Sequence, residues 1–155
     1  MASLDTEAKI VTPREARRRL LGAGLRPSRA RVALLRLLLK GGDRHVTPDD
    51  LRAEAEAVGL RFSLATIYNN LNRFNEVGLL RRITLGPGQV FFDTNTSHHH
   101  HVYYEERGEL RSVPARMDGL VDLPEDLAGI APERLDIVVR VGARQSDGDT
   151  YTKQR

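Results

Sequence analysis

Hydrophobic positions along this 155-residue chain change their period near residue 78. Before that point they recur every three to four residues, the spacing of helices that bury one face. Thr12-Pro13 supplies an N-cap and a proline at the first helical position, and the helix it opens stops at Gly22 or Gly24. Ser28 caps a second helix, in which Val32, Leu35 and Leu39 recur at helical spacing before Gly41-Gly42. The stretch TPDD, residues 47–50, combines a cap, a proline and an acid three residues on, and predicts a third helix to about Val58. Ser63 opens the fourth, with Leu64, Ile67, Leu71, Phe74 and Val77 on one face and Gly78 as its stop.

Past Gly78 the pattern turns to that of strands. LLRRITL and QVFFD read as a hairpin joined by Gly86-Pro87-Gly88. Helices closing on such a hairpin predict a winged helix-turn-helix, with helix 64–77 as the recognition element and the hairpin as a wing along the phosphates. The helix offers Ser63, Ala65, Thr66, Tyr68 and Asn69 to base edges and thymine methyls, with Asn70 behind them. Arg26 and Arg31, flanking the start of the second helix, are the expected phosphate contacts.

The rest of the chain predicts a small sheet. HHHHVYYEE and ELRSV pair across a turn at Arg107-Gly108, and RLDIVVRV is a third strand. Residues 114–132 carry only weak helical signals. A sheet this small buries little alone, so pairing with a second copy is expected. The fold class is therefore α+β. Its expected parts are a winged-helix DNA-binding domain over residues 1–93 (1–11 flexible), a small α/β dimerisation and effector-binding domain over 94–144, and a disordered polar tail over 145–155.

Charge sharpens the functional reading. Residues 1–90 hold 16 Lys and Arg against 9 Asp and Glu, whereas residues 91–155 hold 8 against 12. A basic front half is the electrostatic footprint of a protein that meets a polyanion, double-stranded DNA foremost. No apolar run approaches membrane-spanning length and none has the form of a signal peptide, so a cytoplasmic protein is expected.

The chain contains no cysteine. Disulfides, cysteine-built zinc sites, iron–sulfur clusters and a cysteine nucleophile are excluded together, and a transition metal falls to histidine and carboxylate. Four of the five histidines stand in one run, His98 to His101. If residues 97–104 form a strand, alternation puts His99 and His101 on one face and His98 and His100 on the other. A solvated loop would make all four interchangeable.

The stretches GLRPSRARVALL, GDRHVTPDDL, SLATIYNNLNRFNEVGLLRR and FFDTNTSHHHHVYY resemble the ferric uptake regulator (Fur) superfamily, and within it the iron response regulators (Irr). The similarity runs from about residue 24 to 141. It implies a dimeric winged-helix repressor or activator linked to iron and haem status. The winged-helix order and the charge concentrated before Val90 predict a homodimer on an A/T-rich, roughly palindromic operator. Carried over residue by residue, it implies a main site for iron, manganese or zinc at His45, Asp93, His99 and His101. A fifth ligand of the family is a carboxylate, and here that position is Ser112. His98 and His100 would serve a weaker second metal site or a haem face. The cysteine-proline haem motif of some Irr proteins is absent.

The expected function is a DNA-binding regulator of iron or haem homeostasis genes that responds to metal or haem, or alternatively a manganese- or zinc-responsive repressor of the same type. A metalloenzyme is the rival from another class, since histidine and carboxylate sites also activate water. The chain has no HExxH, no nucleophile elbow and no phosphate-cradling loop to support it.

Overall fold

A computed structural model of the chain describes residues 10–113 and 137–142. They fall into two compact units that part between Ser97 and His98. The first contains α1 (Pro13–Gly22), α2 (Arg29–Leu38), β1 (His45–Val46), α3 (Pro48–Ala57), α4 (Leu64–Glu76), β2 (Arg81–Gly86) and β3 (Gln89–Asp93). The second contains β4 (His100–Tyr104), β5 (Glu109–Val113) and β6 (Val138–Val141). The weak helical stretch 114–132 and the tail 145–155 lie outside the described residues, as do residues 1–9. Val11, expected to be flexible, instead lies in the core with its carbonyl accepting from Arg36 Nε at 2.9 Å.

Every helix of the first unit starts where a short polar side chain replaces a missing helical partner. Thr12, Ser28, Thr47 and Ser63 each accept from the backbone N–H three residues on, at 3.1–3.2 Å. At α3 the arrangement is reciprocal, because Asp50 Oδ2 also accepts from Thr47 N at 3.0 Å. α4 ends where Gly78 takes φ 75°, letting Leu79 N reach back to Phe74 O at 2.9 Å. This reversal drops Leu80 into the core and delays the wing strand to Arg81, two residues after its expected start at Leu79.

The apolar faces converge on one core. Leu20, Leu34, Leu35, Leu38, Leu51, Ile67, Leu71 and Phe74 are buried together with Val46, Val90 and Phe92. Each such side chain contributes roughly 1.5–3 kcal/mol relative to exposure. β2 and β3 form an antiparallel hairpin in which Gly86 pairs with Gln89, Pro87 and Gly88 make the turn, and Gly88 has φ 74°. β1, too short to show a period, was not expected. It adds to the far edge of β3, giving the order β1-β3-β2. Arg82 N donates to Asn75 Oδ1 at 2.8 Å and ties the wing to α4.

In the second unit β4 lies between β5, antiparallel, and β6, parallel. Arg111 packs on the Tyr104 ring at 5.4 Å and pairs with Glu109 at 2.7 Å, and that guanidinium holds the Glu109 carboxyl below its usual range. No helix among the described residues is long and apolar enough to cross a membrane.

Candidate metal ligands and nucleic-acid face

β1 brings His45 into register with Asp93 of β3. The two side chains meet with His45 Nε2 3.3 Å from Asp93 Oδ2, and Asp93 is only 1% exposed. Its other oxygen accepts from Asn95 N at 2.8 Å, which fixes the carboxylate plane. A buried carboxylate beside an imidazole, held by a backbone N–H, is the kind of supported donor pair that first-row divalent metals take.

The backbone between this pair and the histidine run is not extended. Asn95 N turns back to Asp93 Oδ1, and Ser97 N turns back to Asn95 Oδ1 at 2.9 Å. β4 consequently begins at His100, not at His98, so strand alternation cannot by itself sort the first two histidines. The rings nevertheless associate two apart. His99 and His101 lie 4.6 Å apart between centroids, and His98 and His100 lie 5.2 Å apart in a T-shaped contact.

The four histidines fall into three environments. His99 and His101 are 6% and 1% exposed, whereas His98 is exposed. His100 is fully buried, and its Nδ1 accepts from Ile137 N at 3.3 Å, joining it to the backbone leading into β6. That bond occupies one nitrogen of a residue expected to face a second metal or haem. Ser112 stands directly opposite His101 in the β4–β5 ladder. The fifth-ligand position is thus a cross-strand neighbour of His101, with a hydroxyl there in place of a carboxylate.

The residues expected to meet nucleic acid divide as well. Ser63 Oγ both caps α4 and lies 2.8 Å from Thr66 Oγ1, so these two hydroxyls serve each other at the helix start. Asn70 Nδ2 donates to Thr66 O at 2.8 Å, back along the helix. Ala65 and Asn69 are exposed and Tyr68 is half-buried. Arg26 is exposed, while Arg31 donates from Nη1 to Arg26 O at 2.8 Å, fastening the turn before α2. The sequence reading did not place Arg44, whose guanidinium pairs with Glu54 of α3 and whose backbone N–H donates to Thr94 Oγ1 at 2.8 Å. That second bond locks the β1 edge on which His45 is carried. Only the nonlocal pairing of residues 44 and 94 could have revealed it.

Known proteins resemble this one in both sequence and fold. The Staphylococcus aureus peroxide-responsive repressor PerR is 34% identical over 88 residues, 57% of this chain and 59% of that protein's length. The chain therefore spans about three-fifths of the length of the curated relatives it matches. Among solved structures, the Vibrio cholerae ferric uptake regulator aligns with a TM-score of 0.70 at 22% identity, over 82% of this chain and 98% of that one. The Pseudomonas aeruginosa regulator solved with manganese gives 0.65 at 24% identity, over 84% and 98%. These likenesses carry the fold alone: four helices and a wing hairpin, followed by a small sheet. The model of the ferric uptake regulator family matches residues 22–117, and the chain belongs to that family.

Proposed function

We propose that the protein is a metal-responsive, DNA-binding transcriptional regulator acting as a homodimer in the cytoplasm. Proteins of this family are regulators rather than enzymes, which sets the metalloenzyme reading aside. The observation that carries the proposal is the His45–Asp93 pair, a half-buried imidazole beside a buried, backbone-supported carboxylate on the wing sheet of a winged-helix unit.

His45, Asp93, His99 and His101 are the proposed ligands. Imidazole with carboxylate suits iron, manganese and zinc alike. The Pseudomonas relative was solved with manganese, which supports that class. The first two ligands belong to the DNA-binding unit and the other two to the dimerisation unit. A metal taking all four would bias whichever hinge state brings them together, and so set how two recognition helices are presented to DNA. α4, with Ala65, Tyr68 and Asn69 toward the bases and Ser63 and Thr66 at its capped start, is the proposed reader of an A/T-rich operator. Arg26 and Arg31 are its phosphate-side support.

Iron or haem homeostasis genes are the proposed targets, on the Irr-like stretches FFDTNTSHHHHVYY and SLATIYNNLNRFNEVG. Haem binding would draw on histidine alone.

The test is fluorescence anisotropy against a randomised duplex library and A/T-rich palindromes, at several salt concentrations, with and without iron, manganese, zinc and haem. Salt-sensitive binding that tightens with one effector is expected. Absence of binding to any duplex under all these conditions would overturn the reading.

A further inference from the structure

The first unit carries a groove that the metal and DNA assignments leave unused. A cavity of about 400 Å³ is lined by Arg17 of α1, Arg29 and Arg36 of α2, and Arg61 of the segment leading into α4, with Val32 and Phe62 on its floor. A second cavity, of about 350 Å³, is lined by Ile10, Val11, Leu37, Val58 and Lys40. The two share Ala33, Arg36 and Leu60, so they adjoin along one face, and we read them together as a groove with a guanidinium-rich end and an apolar end. Arg36 is held between them by its bond to Val11 O.

Charge and polarity both point to what fills it. Among the described residues, no Asp or Glu lines either cavity. Among the described residues, none of the four arginines makes an ion pair. Like charges gathered around one recess repel each other, and an anion entering it converts that repulsion into attraction. At the other end Ile10 is 72% and Val58 56% exposed, large apolar side chains left facing water. A DNA phosphate would engage the guanidiniums but leave this apolar half unfilled. Pockets that hold small molecules combine these features, an apolar lining with a few fixed polar groups, at volumes of roughly 300–1,000 Å³.

We propose that this groove binds a small amphiphilic anion, a carboxylate, sulfonate or phosphate head seated among Arg17, Arg29, Arg36 and Arg61 with an apolar or aromatic body lying along Leu60, Val58 and Ile10. The proposal does not depend on the regulator reading, since it concerns binding to the protein alone.

Two dyes of matched shape test it on the full chain: 1-anilinonaphthalene-8-sulfonate, and N-phenyl-1-naphthylamine, which lacks the sulfonate. The sulfonate should bind saturably at one site, at least about tenfold tighter than the neutral dye, as a charge-assisted contact requires. Decanoate should displace it and decanol should not. Arg29 and Arg61 are exposed, so Arg29→Glu with Arg61→Glu leaves the core intact. That variant should weaken the sulfonate dye at least about tenfold and the neutral dye little. Val58→Glu, at an exposed position, should weaken both, and circular dichroism should show each variant folded. Equal binding of the two dyes, or indifference to the Arg29/Arg61 reversal, would overturn the proposal. So would loss of duplex DNA affinity in that variant with dye binding unchanged, which would assign the guanidiniums to the DNA backbone. Dye binding seen only after removal of residues 1–9 would assign the groove to the chain's own N-terminal segment and overturn it equally.

Discussion

His45 and Asp93 face each other across the β1–β3 ladder, Nε2 to Oδ2 at 3.3 Å, although they stand 48 positions apart in the sequence. Cross-strand neighbours in an antiparallel pair hold their side chains within reach without further cost in loop ordering. The register of the wing sheet therefore holds the two side chains together.

The metal assignment predicts unequal losses on substitution. Titration calorimetry with manganese or zinc should show His99→Ala, His101→Ala and Asp93→Asn each weakening the tight site at least about tenfold, the lower end for a lost ligand or its support. His98→Ala, at an exposed ring, should leave that site nearly intact. Equal losses across His98, His99, His100 and His101 would sink the division into pairs.

On the DNA side, Tyr68→Ala should erode discrimination between operator and mismatched duplexes. Arg26→Ala should weaken all duplexes and lower the salt slope by about one unit. Ser63→Ala should instead act through stability, because its hydroxyl caps α4. A loss of about 1 kcal/mol in thermal or urea unfolding is expected. Unchanged stability with lost DNA affinity would show that the hydroxyl serves the DNA.

Two glycines should respond in opposite directions. Gly78 sits at φ 75° with open space around it, so Gly78→Ala meets backbone strain and no clash, and should lower stability by about 1–2 kcal/mol. Gly22 ends α1 in ordinary backbone with equal space, and Gly22→Ala should raise stability by about 0.4–1 kcal/mol. Urea midpoints moving the same way in both would mean that the left-handed residue is not what stops α4.

Any haem that the protein binds is expected to show histidine ligation, since no thiolate exists in the chain. A Soret spectrum characteristic of cysteine ligation would rule this out.

Local chemistry determined much of this protein from the sequence alone. Four capped helix starts, the Gly78 stop, the Pro87-Gly88 turn and the pairing of histidines two apart all follow from interactions within a few residues. The basic front half and the absence of cysteine were equally plain there, and bound the partner and the ligand types. Only the tertiary structure decided what depends on distant partners. β1, at two residues, is too short to carry a period, and it exists because β3 offers an unpaired edge to residues 45 and 46. The burial of His100 against Ile137 and the gathering of four arginines from three segments around one groove depend on which surfaces pack together. Caps and turns are settled within one helical turn of chain, whereas these features required the pairing of residues tens of positions apart.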